Sequence, residues 1–477
     1  MAVPTRARNP VLVLAVVAVV PALLLGSLSI YARANEGSVS VPVRTSAPPV
    51  SVPRALPTPL LSLRRAPSPL AASRRTALLT QAVQPLTAAV DATSCLAVGM
   101  DDRMVAATNA DLQVIPASNL KLVTATAAVQ VLGAGTVFST SVVGAAPANG
   151  VVDGDVYLVG GGDPLLSEQW YTQPSASRKR PPQHATSIEA LADQVVASGV
   201  TSINGDVVGD GSRYDDERHP PGWSRDIRAT ADGVPVGALV VNDSITQSGG
   251  IGDDPAKSAA ATFRSLLRAR GVKVGGNAAI GVAPAGASVL ATVTSAPLTD
   301  VVNEMLVTSD NLTAEMLVKE IGRTVAAPGT RDAGLQVIGS KLAEWGVPVG
   351  TFSLADGSGL SRENRITCNG LLTVLHRGSG TDAVGNAMAK AGDAGSTLDG
   401  KFEVPGLQGV LQAKTGSLRE VKALCGYFPA AGGEVAFVLI LNGASAPNYA
   451  GPWEQLSQVL LAAAAAPPAA SLAPRQT

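Results

Sequence analysis

Four residues, Ser118-Asn119-Leu120-Lys121, place a hydroxyl and an amine at a spacing that could do chemistry. They open the run LKLVTATAAVQVL, which is apolar and free of Gly and Pro until Gly133, so it predicts a buried helix. Residues three apart lie on one helical face, with Cβ atoms about 5–6 Å apart. An amine at that distance can take the serine proton, which is the layout of an activated nucleophile. The alternative is a helix cap beside a solvated lysine.

Two further short motifs lie in the C-terminal half, each at the edge of a predicted element. Ser309-Asp310-Asn311 starts a predicted helix, and the Lys-Thr-Gly at 414–416 ends a predicted strand. Alone, the first is typical of a helix N-cap and the second of a strand end followed by a turn. Together with Ser-x-x-Lys, and in this order, they form the three-part signature of penicillin-binding proteins and serine β-lactamases.

The sequence around these motifs resembles the class C low-molecular-mass penicillin-binding proteins, the D-alanyl-D-alanine carboxypeptidase/endopeptidase family. The segments that carry the resemblance are LVGGGDPLL, PVGALVVNDS, TSDNLTAEML, LADGSGLSRENRIT and AKTGSLREVKALCGYF, and it covers about residues 80–460. It includes a large insertion between the first two motifs, which β-lactamases lack. The resemblance implies an α+β fold, namely a β-lactamase/transpeptidase-like domain with an antiparallel sheet flanked by helices. It also implies an activity, the hydrolysis of the terminal D-Ala-D-Ala bond of peptidoglycan stem peptides.

The resemblance also implies a role for the residues of the first two motifs. Ser118 is expected to be the nucleophile and Lys121 the general base. Lys121 must then be neutral for part of the time; burial and a nearby cation both lower a lysine pKa, and Lys414 is the candidate cation. Ser309 is expected to relay a proton to the leaving group, and Asn311 to hold the substrate amide or Lys121.

The third motif is expected to bind substrate. The resemblance assigns Lys414 and Thr415 to the free carboxylate of the terminal D-Ala. Gly416 allows close backbone approach to the substrate strand. The backbone N–H groups of Ser118 and Ser417 are expected to form the oxyanion hole.

Other kinds of site have little support in the sequence. The three histidines, His184, His219 and His376, lie in different regions, and no G-x-S-x-G elbow occurs, so no histidine triad is predicted. We expect no metal site and no cofactor. The formal net charge is −1 and the folded part has no long basic run, which argues against nucleic acid as a partner.

The three cysteines, Cys95, Cys368 and Cys425, show no metal-binding spacing and no C-x-x-C. At most one internal disulfide can form, and the sequence does not choose the pair. Cys425 lies on a predicted core strand, so a buried thiol is expected there. The stretch Asp356-Gly357-Ser358-Gly359 predicts a turn that lines the cleft without a catalytic role, and Arg362 after it is expected to contact a carboxylate or form a surface ion pair.

The N-terminus predicts export. Residues 11–30 are mostly apolar and uncharged, follow Arg6 and Arg8, and are long enough to span a bilayer. Ala32-Arg33-Ala34 also fits a signal-peptidase site. Residues 1–34 are therefore either a membrane anchor or a cleaved signal peptide. Both alternatives place the rest of the chain outside the cytoplasm, in the cell envelope. If the segment is retained, the cytoplasmic membrane is a partner.

The rest of the chain divides by composition. Residues 35–75 are rich in Pro and Ser and predict a linker. The predicted catalytic domain consists of residues 76–137 and 291–462 and starts with a helix over 76–92. Residues 463–477 are predicted to form a flexible tail. Residues 138–290 predict a mainly β insertion of hairpins, because Val-rich strands alternate with Asn-Gly and Asp-Gly turns. Helices are predicted in it at 187–199 and 257–271.

The sequence therefore predicts an exported serine D-Ala-D-Ala carboxypeptidase, acylated by penicillin, with endopeptidase activity left open. One alternative is a β-lactamase or esterase of the same fold; the insertion and the lack of a recognisable glutamate loop for deacylation argue against it. A second is a non-catalytic peptidoglycan-binding protein, which the three intact motifs argue against. The expected ligands are stem peptides ending in D-Ala-D-Ala and β-lactam inhibitors.

Overall fold

The computed structural model describes residues 67–101, 103–174, 181–430 and 433–465. The N-terminal part contains α1 (Pro67–Ala82), α2 (Gln84–Ala89), β1 (Cys95–Met100), β2 (Arg103–Thr108), β3 (Gln113–Val114) and α3 (Leu120–Leu132). The first helix begins at Pro67 rather than at residue 76, so the end of the predicted linker is helical. A proline in the first turn of α2 separates it from α1, because proline fits the start of a helix but not its interior.

The middle segment is built from short strands and two longer helices. Its elements are β4 (Ser139–Gly144), β5 (Val151–Val152), β6 (Val156–Val159), β7 (Leu166–Ser167), β8 (Thr186–Ser187), α4 (Ile188–Ala197), β9 (Ser202–Ile203), β10 (Val207–Asp210), α5 (Arg225–Arg228), α6 (Pro255–Ala269), β11 (Lys273–Val274), β12 (Ala278–Ile280) and β13 (Ser288–Thr294). Helices α4 and α6 confirm the two predicted there. Ser187 and Asp254 cap them, since each side chain accepts a first-turn N–H.

The sheet of the middle segment differs from the predicted hairpins. Its strand order is β12-β10-β6-β4-β13. Strand β4 pairs antiparallel with β6 and β13, but β6, β10 and β12 are parallel. Parallel neighbours need a crossover connection, and α4 and α6 supply it. Side chains of both helices pack on the sheet, among them Leu191 and Phe263, so the segment holds more helix than a mainly β insertion.

The C-terminal part returns to helices and then to long strands. Its elements are α7 (Leu298–Thr308), α8 (Asn311–Arg323), α9 (Arg331–Glu344), β14 (Ile366–Thr367), α10 (Cys368–Leu375), β15 (Ala389–Lys390), β16 (Gln412–Leu418), β17 (Val421–Ala430), β18 (Gly433–Asn442) and α11 (Ala450–Ala465). The helix predicted to start at Ser309-Asp310-Asn311 is α8. The strand predicted to end at the Lys-Thr-Gly motif is β16, which continues past the motif to Leu418.

An antiparallel sheet of six strands, in the order β15-β16-β17-β18-β1-β2, combines strands from the N-terminal and C-terminal parts described above. Alternate residues of a strand point to opposite faces. Accordingly Cys95 and Ala97 of β1 pack with α3 and α7–α10, whereas Leu96 and Val98 pack with α1 and α11. The sheet is thus covered by helices on both faces, as the predicted fold class requires.

One disulfide links this sheet to the helices. Cys95 on β1 is bonded to Cys368 at the start of α10, which settles the pairing that the sequence left open. Cys425 is a free, buried thiol on β17.

The predicted export segment at 11–30 and most of the predicted linker and tail lie outside the described residues. Within the ranges given above, no helix is long and apolar enough to cross a membrane.

Candidate active site

Ser118 lies in a 3₁₀ turn, Ala117–Asn119, that leads directly into α3. Eight of the thirteen residues of this helix are buried, as expected for a helix in a core. Ala117 adopts a left-handed backbone conformation, with φ 48°. Gly359 packs against it so closely that a Cβ there would lie 1.9 Å from the Ala117 carbonyl oxygen. The nucleophile turn is therefore held by close backbone packing.

Lys121 is fully buried and lies one turn after Ser118. Its Nζ donates to Ser118 Oγ at 3.2 Å, to Asn311 Oδ1 at 2.6 Å and to the Ser358 carbonyl at 2.7 Å. These three acceptors match the three protons of an ammonium group. A solvated lysine beside a helix cap is excluded, because the side chain has 0% relative exposure.

Burial lowers the pKa of Lys121 from 10.5 to about 8. The effect of burial is the largest, because desolvation disfavours the charged form. Carboxylates oppose it and raise the pKa; they belong to Asp310, Asp356, Glu315 and Asp232. Burial, which the prediction named, is thus the largest cause of the lowered pKa, and a contribution from Lys414 stays a prediction.

The second motif follows a sharp turn between two helices. Ser309 ends α7 in a left-handed conformation, with φ 67°. Asp310 caps α8 by accepting the N–H groups of Leu312 and Thr313. The turn carries the Ser309 hydroxyl to the third motif, where it accepts a hydrogen bond from Lys414 Nζ at 2.8 Å.

Asn311 is fixed from both sides. Its Oδ1 accepts from Lys121, while its Nδ2 donates to the carbonyl oxygen of Asp232 at 2.9 Å. Asp232 belongs to the middle segment of the chain. The insertion therefore sets which way the Asn311 amide faces, and so which of its atoms meets Lys121.

The third motif lies on β16, beside the nucleophile turn. Lys414 is buried, and a Cβ on Gly416 would lie 3.0 Å from the Pro116 carbonyl oxygen. Gly416 thus allows β16 to lie close to the nucleophile turn. The prediction had instead assigned Gly416 to the close approach of the backbone to the substrate. Strand β15 pairs with β16 only at Gln412 and Ala413. From Lys414 onward this edge is uncovered by any described strand, and such an edge can pair with an extended peptide.

The loop after α9 contributes a contact that the sequence did not reveal. Residues 356–359 form a turn as predicted, but the Ser358 carbonyl accepts from Lys121. Glu315 on α8 orients this carbonyl, because its carboxylate accepts the N–H groups of Gly357 and Ser358, the latter at 2.8 Å. The sequence predicted that this turn lines the cleft without a catalytic role. The structure corrects this, because the turn contacts the proposed base, Lys121, through the Ser358 carbonyl.

Two buried carboxylates hold that loop. Asp356 accepts from the N–H of Gly359 at 2.8 Å and from Trp223 Nε1 at 2.9 Å. Burial, and then the charge of Asp356, raises the pKa of Glu315 to about 7. The only available sequence signal is that Glu315 follows Asn311 by four residues, one turn along α8.

A cleft of about 810 Å³ opens above these residues. The predicted residues that line it are Ser118, Ser309, Asn311, Thr415 and Ser417. Ser417 Oγ accepts from Lys422 Nζ at 2.9 Å. Arg362 lies at the surface and pairs with Glu420 at 3.8 Å. Among the residues that the structure describes, no cluster of His, Cys, Asp and Glu could hold a metal ion.

Known proteins resemble this chain over most of its length. The profile of the D-Ala-D-Ala carboxypeptidase 3 (S13) family matches residues 81–250 and 251–462. A D-alanyl-D-alanine carboxypeptidase of Actinomadura sp. (strain R39) is 31% identical over 417 residues, which cover 70% of this chain and 74% of that protein. Carboxypeptidase Rv3627c of Mycobacterium tuberculosis is 30% identical over 354 residues, covering 71% and 73%.

The fold is shared with a solved structure. Penicillin binding protein 4 (dacB) from Haemophilus influenzae superposes with a TM-score of 0.66, at 23% identity, over 80% of this chain and 98% of that one.

Proposed function

This chain belongs to the D-Ala-D-Ala carboxypeptidase 3 (S13) family and is a serine-type carboxypeptidase, and we propose that it works through an acyl-enzyme on Ser118. The substrate class is peptidoglycan stem peptides that end in D-Ala-D-Ala. The observation that carries the proposal is the 3.2 Å contact between Lys121 Nζ and Ser118 Oγ. A buried lysine with a pKa near 8 supplies a neutral amine for that contact at neutral pH.

In the acylation step, Ser118 Oγ attacks the carbonyl carbon of the penultimate D-Ala, and its proton passes to Lys121 Nζ. The neutral amine can donate to Asn311 Oδ1 and the Ser358 carbonyl while its lone pair accepts from Ser118. The backbone N–H groups of Ser118 and Ser417 stabilise the oxyanion, a contribution of about 3–4 kcal/mol per donor.

The departing amine needs a proton when the C–N bond breaks. Ser309 lines the cleft and its Oγ accepts from Lys414 Nζ, so the hydroxyl proton is free to point at the leaving nitrogen. Lys414 replaces the proton that Ser309 gives up. Lys121 then passes the Ser118 proton through solvent to Lys414, which leaves Lys121 neutral and restores the Lys414 ammonium. Thr415 and this ammonium bind the carboxylate of the released D-Ala. Water attacks the acyl carbon, the neutral Lys121 takes its proton, and Lys121 gives that proton to Ser118 Oγ as the ester C–O bond breaks.

The same chemistry makes the enzyme a target of β-lactams. The lactam carbonyl acylates Ser118, but the leaving nitrogen stays attached to the acyl group, so water reaches the ester slowly. We propose a long-lived penicillin adduct on Ser118 and no fast β-lactam turnover.

The substrate lies outside the cytoplasmic membrane, so the proposed place of action is the cell envelope. Residues 11–30 are proposed to export the chain, either as a retained anchor or as a cleaved signal. Fractionation of cells separates the two: a full-length protein in the membrane fraction supports an anchor, and a shortened protein in the soluble fraction supports cleavage.

The test uses stem pentapeptide and mass analysis of the products. The wild type is expected to release one D-Ala, and Ser118→Ala none. Ser340→Ala is the control, because Ser340 is an exposed serine on α9. Release of D-Ala by Ser118→Ala at the wild-type rate contradicts the proposal.

A further inference from the structure

Lys422 is a cation of the cleft that belongs to none of the three motifs. It lies on β17 directly opposite Ser417 of β16, so the two side chains are on the same face of the sheet. Lys422 Nζ donates to Ser417 Oγ at 2.9 Å, and both residues line the cleft. Lys422 therefore lies beside the third motif, to which the proposed function assigns the substrate carboxylate.

The Lys422 ammonium is held from its other side by aromatic rings. Its Nζ lies 4.9 Å from the centre of the Tyr449 ring, within the range of a cation–π interaction. The Tyr449 ring meets the Trp453 ring edge-on, with their centres 4.8 Å apart, and Trp453 stacks on Phe402 at 5.5 Å. This packing limits the positions open to the Lys422 side chain, so it keeps the ammonium at the cleft wall.

The contact with Lys422 also directs the Ser417 hydroxyl. A serine hydroxyl has one proton, and an ammonium group can only donate. Because Ser417 Oγ accepts from Lys422, its own proton is left for another acceptor. Thr415 lies two residues earlier on the same face of β16, and it too lines the cleft. The Thr415 and Ser417 hydroxyls and the Lys422 ammonium thus form a set of donors that suits a carboxylate, a group with acceptors alone.

Lys422 brings a positive charge that the fold does not neutralise. Within the described part of the chain, no carboxylate forms an ion pair with it. Glu420, in the turn between β16 and β17, pairs with Arg362 instead. The carboxylates that line the cleft come from the insertion, α7 and the start of α8, and they are on Asp232, Asp243, Glu304 and Asp310. An anionic group is therefore favoured at the wall that holds Lys422.

We propose that Lys422 determines specificity for a free C-terminal carboxylate, which its ammonium and the Ser417 hydroxyl bind together with the third motif. This inference rests on the proposed function, because it takes the cleft to hold the leaving D-Ala. Two donors of Lys414 are used by Ser309 Oγ at 2.8 Å and by the Thr415 carbonyl at 2.9 Å. Lys422 supplies a second ammonium for the same carboxylate. A peptide whose C-terminus is an amide carries no charge for Lys422 to bind.

The experiment compares kcat/KM for stem pentapeptide and for the same peptide with a C-terminal carboxamide, in the full-length protein. Lys422→Gln is expected to lower the ratio of the two values about tenfold, the effect of losing one hydrogen bond to a charged group. The loss should appear in KM with kcat little changed, because the carboxylate is bound alike in the ground state and the transition state. Lys422→Arg keeps the charge and is expected to hold the ratio within about threefold of the wild type.

The controls separate specificity from folding. Lys341→Gln removes a lysine that pairs with Glu344 on the surface of α9, and it is expected to keep the wild-type ratio. The extent of labelling at saturating fluorescent penicillin gives the folded, active fraction of each protein, to which every rate is normalised. Raising the salt concentration should lower the wild-type ratio more than that of Lys422→Gln, because salt screens exposed charges.

The outcomes distinguish this inference from the proposed function. A selective loss on the free peptide in Lys422→Gln, with recovery in Lys422→Arg, supports the role of Lys422. Equal losses on both peptides, an unchanged ratio, or a wild type that cleaves both peptides equally well overturns that role and leaves the carboxypeptidase proposal standing. A wild type that takes no penicillin label and releases no D-Ala from the free peptide overturns both.

Discussion

Lys121 donates from Nζ to the backbone carbonyl of Ser358 at 2.7 Å, which ties the proposed base to a loop that no motif marks. The carbonyl is oriented in turn by Glu315, which accepts the Ser358 N–H. With this acceptor and Asn311 Oδ1 in place, a neutral Lys121 has both N–H bonds used and its lone pair directed at Ser118. The base is therefore positioned by two elements, α8 and the 356–359 turn, that lie far from it in sequence.

The rate of acylation should depend on the protonation of Lys121. Its pKa is lowered to about 8, and only the neutral amine can accept the Ser118 proton. The second-order rate constant for fluorescent penicillin is therefore expected to rise about tenfold per pH unit below 8 and to level off above it. A rate that stays constant between pH 6 and 9 argues against Lys121 as the base.

Glu315→Gln should change both the level and the midpoint of that profile. The negative charge of Glu315 raises the Lys121 pKa, so its removal is expected to move the midpoint to lower pH. The plateau should fall about tenfold, because Gly357 and Ser358 lose a charged acceptor. Glu344→Gln, on the surface of α9, is the control. A lower plateau with an unmoved midpoint indicates a purely structural role for Glu315.

Asn311→Asp should move the midpoint in the opposite direction. A carboxylate 2.6 Å from Lys121 Nζ favours the ammonium form, so the Lys121 pKa is expected to rise and the midpoint with it. The variant also loses the hydrogen bond from Nδ2 to the Asp232 carbonyl. At pH 7 we expect acylation to fall about a hundredfold, two pKa units of extra protonation. A midpoint that matches the wild type contradicts this account of Asn311.

The most useful stability test lies at two glycines that both have a positive φ. Gly359 has φ +80° and a Cβ there meets the Ala117 carbonyl, whereas Gly346 has φ +96° and open space around it. Gly346→Ala is expected to cost about 1–2 kcal/mol of unfolding free energy, the penalty of a left-handed alanine, without a change in acylation. Gly359→Ala should in addition displace Ser118 and slow acylation at least a hundredfold.

Urea unfolding and penicillin labelling measure the two effects separately. Equal acylation by both alanine variants, after correction for the folded fraction, shows that the Gly359 contact does not hold the nucleophile turn.

The cysteines should differ in reactivity. Cys95 and Cys368 are bonded to each other, while burial raises the pKa of Cys425 well above its usual range. A thiol reagent is expected to modify no cysteine in the native protein, one after unfolding, and three after unfolding with a reductant. Rapid modification of the native protein places Cys425 at an accessible site and contradicts the fold around β17.

The sequence was sufficient for the parts of the site that carry motifs. Lys121 Nζ contacts Ser118 and Asn311, and Lys414 Nζ contacts Ser309. Ser118, Ser309 and Asn311 line the same cleft, so the fold brings the three motifs together, while the catalytic roles assigned to them stay predictions. The antiparallel sheet could be predicted for a similar reason: long alternating strands joined by short turns pair with their neighbours in sequence.

The remaining features depend on contacts that leave no local pattern. A backbone carbonyl such as that of Ser358 has no side-chain signature, and the importance of Glu315 appears only once α8 packs beside the 356–359 turn. The direction of β6, β10 and β12 was mistaken because a short Val-rich strand has the same composition in parallel and antiparallel sheets. The disulfide partner of Cys95 was likewise undetermined, since α10 meets β1 only in the folded chain.

The most direct measurement is the location of the penicillin adduct. The protein is incubated with penicillin, digested, and its peptides are analysed by mass spectrometry. The account predicts one adduct, on the peptide that contains Ser118, and its loss in Ser118→Ala but not in Ser340→Ala. An adduct on any other residue, or undiminished labelling of Ser118→Ala, contradicts the claim that Ser118 is the nucleophile.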